Sequence, residues 1–123
     1  MIKSLLIVGL GSFCGGALRY YISTLVKSAY GQDFPWGTLS VNLVGCLLIG
    51  LLLGLFSRCG VHSSSWSLLL TVGFCGGFTT FSTFANESFQ MLQSGNTLNL
   101  IIYILLSVIV GIILVALGYW IVK

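Results

Sequence analysis

The sequence predicts an all-α membrane protein, a single transmembrane domain over residues 1–123 with four spanning helices. Three observations predict it. Of the residues, 57% are hydrophobic and only 6% charged, whereas an average soluble chain carries about a quarter charged residues. Apolar stretches recur at about 4–28, 36–57, 66–92 and 97–121, each with the roughly 20 residues needed to cross about 30 Å of hydrocarbon. The interruptions, Ser28 to Pro35, Arg58 to Ser65 and Gln93 to Asn96, are short and polar and leave no room for a separate soluble domain.

The first helix follows Met1-Ile2-Lys3, one basic residue before an apolar run. A secretory signal has an apolar region of about 7–15 residues and a small-residue cleavage site. This run continues beyond Arg19 to about Val26 without such a site, so it is expected to stay as a span. Arg19 lies toward the exit of that span. A guanidinium in hydrocarbon is costly, so it should face water or a partner, or snorkel to the interface.

The second helix starts at Pro35-Trp36, and Trp36, Trp66 and Trp120 fall where aromatic belts sit at the two interfaces. It carries Thr38, Ser40 and Asn42, with Asn42 roughly 9 Å along the axis from Trp36. Asn42 offers two amide hydrogens to a ligand; it can equally join helices, a contact of roughly 0.6–2 kcal/mol in membranes.

The third helix holds the most informative stretch, Gly73-Phe-Cys-Gly-Gly-Phe-Thr-Thr-Phe-Ser-Thr-Phe84. Polar groups and weakened backbone in hydrocarbon must be paired, buried in protein or turned to a water-filled path. The adjacent Gly76 and Gly77 each weaken a helix by about 1 kcal/mol relative to alanine, so a break is expected there, near the membrane centre. A closely packed continuous helix is the alternative. Freed carbonyls at such a break commonly coordinate a cation. Phe81 and Phe84, three apart, share a face, with Thr80 and Thr83 at the same spacing beside them. Aromatic rings have positive edges, so two rings beside hydroxyl donors would form a polar but uncharged path for a small anion. The fourth helix adds Tyr103 and Ser107, four apart on one face.

Both termini of a four-span chain lie on one side, which then carries Lys3, Arg58 and Lys123 against Lys27 and Arg19 on the other. The positive-inside rule needs a clearer excess, so insertion in both orientations and an antiparallel dimer are expected. Gly11/Gly15, Gly50/Gly54 and Gly73/Gly77 have the Gly-x-x-x-Gly spacing of close helix contacts, within a monomer or across a dimer. Cys14, Cys46, Cys59 and Cys75 form no Cys-x-x-Cys pair, and His62, the one histidine, lies in a loop, so metal-ligand and redox chemistry find no support. No nucleophile and base pair suggests an enzyme. The only acids are Asp33, in a loop, and Glu87, toward the exit of the third span. A proton-coupled cation carrier needs a mid-membrane carboxylate, so the site suits an anion better.

The chain resembles the CrcB/Fluc fluoride channels, small bacterial membrane proteins, through Gly-Gly-Ala-Leu-Arg-Tyr (15–20), Gly-Thr-Leu-Ser-Val-Asn-Leu-Val-Gly (37–45) and the stretch at 73–84, in order and spacing over the full length. The resemblance implies a multi-pass protein of the bacterial inner membrane, an antiparallel dual-topology homodimer with two fluoride pores and a third helix broken at its centre. It implies a structural sodium ion on the dimer axis, held by the backbone carbonyls of Gly76 and Thr79 from each subunit. Asn42 would donate to fluoride, and Phe81 and Phe84 would present ring edges. Ser82, Thr83, Tyr103, Ser107 and, less securely, Thr38 would form a polar track, with Arg19 in an aqueous vestibule. Its partners would be fluoride, a second copy of the chain and the lipid bilayer, and not nucleic acid. Two other readings are a small multidrug-type proton-coupled transporter, which needs an acid usually in the first helix, and a non-transporting assembly subunit whose glycines merely pack.

Overall fold

The computed structural model describes every residue except 32 and 61–64; the loop placement of His62 lies outside the described residues. Four segments are long and apolar enough to cross a membrane, and the protein is a multi-pass membrane protein. Helix α1 runs Ile2–Tyr30 and ends where Gly31 takes φ 82°, its N–H closing on the Lys27 carbonyl. Helix α2 runs Trp36–Cys59 and ends at Gly60, left-handed at φ 73°, a conformation that glycine adopts without a Cβ clash.

The third segment, Ser65–Gln93, is two helices: α3, residues 65–78, and α4, Ser82–Gln93. Helix α5 spans Thr97–Val122. The α4–α5 turn is closed by Gly95 at φ 80°, with the Asn96 N–H returning to the Met91 carbonyl at 3.0 Å and the Gly95 N–H to Leu92 at 3.3 Å. That pair of bonds satisfies two of the carbonyls a helix end leaves open. Both α3 and α5 contain wider π-helical turns, Leu68–Cys75 and Leu106–Val110.

Glycine faces decide which helices meet. Helix α1 lays Gly11 and Gly15 against α3 at Gly73 and Gly77. A Cβ on Gly77 would lie 2.7 Å from the Ser12 carbonyl oxygen, and one on Gly11 would lie 2.5 Å from that of Leu69. Helix α2 meets α5 the same way: a Cβ on Gly54 would stand 2.6 Å from the Tyr119 carbonyl oxygen, and one on Gly118 would stand 2.7 Å from that of Leu47. All three Gly-x-x-x-Gly pairs thus serve contacts within the monomer, where close backbone approach supplies dispersion that hydrophobicity cannot supply between helices in lipid.

The third helix is interrupted, but not at its glycines. Gly76 is helical at φ −63°, ψ −38°, and Gly77 follows it within the helix; the chain leaves the helical region at Thr79, φ −89°, ψ 161°. The break falls at the centre of the span, as expected, but two to three residues past the glycine pair expected to cause it, because glycine's helix penalty is measured in water. Here Gly77 is fixed by α1, and backbone groups with no water to turn to stay in the helical ladder until side chains replace their partners.

Beyond the break the chain changes neighbours. Helix α3 lies along α1, whereas α4 packs on α5 and the start of α2, leaving a gap beside the C-terminal half of α1. The core under α4 is Leu39, Met91 and the fully enclosed Tyr103, with Phe34, Leu43, Phe84, Leu100 and Leu106 packed against them.

Candidate functional site

Side chains from two helices hold the break open. The Thr80 N–H donates to Asn42 Oδ1 at 2.8 Å, and Asn42 Nδ2 donates to the Thr80 carbonyl at 3.0 Å. Arg19 Nε donates to the Gly77 carbonyl at 3.1 Å. In a continuous helix the N–H groups of Thr80 and Phe81 would go to Gly76 and Gly77. Two polar side chains therefore take over two rungs of the ladder. The helix restarts with the Thr83 N–H donating to Thr80 Oγ1 at 3.3 Å, the bond an N-cap threonine makes. Thr79 Oγ1 instead donates back to the Cys75 carbonyl at 3.0 Å.

The gap beside α1 is a cavity of about 810 Å³. Its wall on α1 carries Arg19, Tyr20, Ser23, Thr24 and Lys27; its opposite wall carries Thr80, Thr83, Glu87, Gln90 and Ser94, and Thr38 joins them from α2. Lys27 stands eight residues, about 12 Å, beyond Arg19 along the helix. The cavity is thus hydroxyl-rich and charge-balanced, with Arg19 and Lys27 on one wall, Glu87 on the other and Asp33 also lining it. Where α4 meets the start of α5, Tyr103 donates its hydroxyl to Glu87 Oε1 at 3.3 Å.

The predicted residues do not all share one surface. Arg19, Thr38 and Thr83 line the cavity. Phe81 and Phe84 have ring centroids 5.8 Å apart, and Phe84 lies 5.0 Å from Tyr103. Phe84 is packed, whereas Phe81 is 78% exposed on the single chain. Asn42 sits beyond the cavity, on the break, and retains one amide hydrogen not given to Thr80. Ser82 is exposed, 3.5 Å from the Thr80 hydroxyl. Ser107, in the π-helical turn of α5, has an enclosed hydroxyl without a hydrogen-bond partner, as does Ser88.

Thr80, expected beside the path, lines the cavity, whereas Glu87 and Lys27 were not singled out as cavity-lining groups in the sequence. A signal for them exists: residues 80, 83, 87, 90 and 94 repeat at spacings of three and four, a polar stripe of helical period. The aromatic pair Phe81 and Phe84, one step round the helix, masks that stripe.

With this geometry in view, the relatives can be compared. The family described as CrcB-like protein, Camphor Resistance (CrcB), matches residues 6–119. The chain belongs to the CrcB-like family. It is 48% identical over 118 residues to the fluoride-specific ion channel FluC of Phocaeicola vulgatus, covering 96% of this chain and 97% of that protein. A FluC protein of Leptospira interrogans is 44% identical over 121 residues, covering 98% and 95%. One from Chloroflexus aurantiacus is 46% identical over 116 residues, covering 94% and 92%. The stretch matching the CrcB-like family contains Arg19, Asn42, the whole break and both rings.

Proposed function

We propose that this chain is a fluoride-specific ion channel of the bacterial inner membrane, lowering cytoplasmic fluoride by passive flow down its electrochemical gradient. The observation that carries the reading is a hydroxyl-rich cavity that brings Arg19 and Lys27 together with Thr38, Thr80 and Thr83, the acids Asp33 and Glu87 also lining it. Full-length similarity to proteins named as fluoride-specific channels supports it. It is a channel and not an enzyme. Fluoride holds its water tightly because it is small, so its entry needs several donors placed to replace that water. Thr83, the remaining Asn42 hydrogen, Ser82 and the unpartnered Ser107 supply donors, the one hydroxyl hydrogen of Tyr103 being held by Glu87, and the rims of Phe81 and Phe84 supply partial positive charge. None carries a full charge that would trap the ion. Arg19, bonded to the Gly77 carbonyl beside the break, presents its positive charge to an entering anion.

The working unit is an antiparallel dual-topology homodimer with two pores. The near balance of basic residues on the two sides supports dual insertion. The 78% exposed Phe81 supports a partner that covers it. A sodium ion fits the break: the Gly76 carbonyl has lost its helical donor to Asn42, Thr79 is extended, and a Cβ on Gly76 would meet nothing within 4 Å. Carbonyl oxygens of Gly76 and Thr79 are hard ligands suited to such a cation, which would brace the two subunits against one another.

The test is efflux from liposomes holding purified protein, read with a fluoride electrode and repeated with chloride. Rapid fluoride release with chloride retained is expected. Equal release of both would remove the proposal. Proton-driven efflux of a lipophilic cation would instead give Glu87 the role of a carrier's acid.

A further inference from the structure

A side chain from the middle of α2 substitutes for part of the α3 backbone ladder. Asn42 bonds both the N–H and the carbonyl of Thr80, at 2.8 and 3.0 Å. A single planar amide, with its acceptor and donor side by side, can pair with both backbone groups of one residue. Aspartate keeps only the acceptor, and alanine keeps neither. Without Asn42 the Thr80 N–H loses its acceptor, and its nearest regular acceptor is the Gly76 carbonyl, four residues back. The oxygen that would be captured is one of the two offered to the central cation.

We infer that Asn42 is a positioning residue for that cation site: by holding Thr80 it keeps the Gly76 carbonyl out of the helical ladder and Thr79 in its extended conformation. The second helix then controls cation occupancy as well as flanking the anion path. This rests on the sodium reading of Gly76 and Thr79. Helix closure and cation binding compete for the same oxygen, so losing the amide shifts the balance toward closure.

The experiment titrates purified full-length protein with sodium chloride, replacing N-methyl-D-glucamine chloride at constant ionic strength, and follows the thermal unfolding midpoint. Sodium raises the midpoint of the native chain. Asn42→Ala weakens the apparent sodium affinity about tenfold, the equivalent of about 1.4 kcal/mol or one hydrogen bond. Asn42→Asp still accepts the Thr80 N–H, so it keeps most of the sodium response while fluoride efflux falls, because a carboxylate beside the path repels the anion. An alanine variant that responds to sodium as the native chain does overturns the positioning role and leaves the sodium site standing. A native chain indifferent to sodium removes the site and the inference together. Should the alanine variant fail to fold, a folded aspartate variant lacking the sodium response overturns the inference on its own.

Discussion

Arg19 reaches from α1 to the Gly77 carbonyl, its Nε donating at 3.1 Å, so the cation of the cavity wall is tethered to the backbone beside the break. One side chain thereby joins the cavity wall to the break. Arg19→Gln removes both roles and is expected to lower fluoride flux at least about tenfold at low salt. The loss shrinks as ionic strength rises, because only the steering part is screened. Arg19→Lys keeps the charge without the planar donor and should recover the salt dependence more than the maximal flux. Efflux rates at two ionic strengths check this.

The glycines divide by what lies opposite them. Gly77→Ala places a methyl 2.7 Å from the Ser12 carbonyl oxygen, backbone against backbone, where neither side can yield. It should cost at least about 2 kcal/mol and release the protein from detergent extracts as aggregate. Gly9→Ala, with nothing within 4 Å, should be neutral or stabilising by up to about 1 kcal/mol. Thermal unfolding of the two variants in detergent measures the contrast.

The two phenylalanines should separate path from core. Phe84 packs against the cluster around Tyr103, so Phe84→Ala should cost about 3 kcal/mol or more of stability. Phe81 is 78% exposed on the single chain, so Phe81→Ala should leave the fold of that chain nearly unchanged. Replacing both with isoleucine keeps apolar bulk but removes the ring edges, and should abolish fluoride flux with the dimer intact on size exclusion. Unaltered flux would favour a packing role.

Ser107 and Ser88 have enclosed hydroxyls without partners. Such groups carry a desolvation cost of about 1–3 kcal/mol, so alanine at either position should not lower the unfolding midpoint. On the proposed reading, which gives its hydroxyl to the ion, Ser107→Ala should nevertheless slow fluoride efflux severalfold. Normal efflux from Ser107→Ala would take it out of the path.

Tyr103, wholly enclosed, holds Glu87 on the cavity wall at 3.3 Å. Tyr103→Phe leaves that carboxylate without its donor, a loss of about 1.5–3 kcal/mol where a charge is involved. It should lower the unfolding midpoint, and Glu87→Gln in the same chain should restore part of it by removing the charge. A double-mutant cycle in detergent measures the coupling.

By itself the sequence determined the class: few charges and four long apolar runs leave lipid as the only solvent such a surface tolerates. It also pointed to an interruption of the third helix and singled out Arg19, Asn42, Phe81 and Phe84 as candidates. These are local or compositional properties, legible wherever one residue type stands in the wrong solvent. Only the tertiary structure decided that Gly73 and Gly77 belong to the α1 contact, that the break falls at Thr79, and that Asn42 and Arg19 supply the bonds holding it open. Those bonds join residues 38 and 58 positions apart. No period or propensity along the chain encodes which distant side chain arrives to relieve a backbone group that water cannot reach.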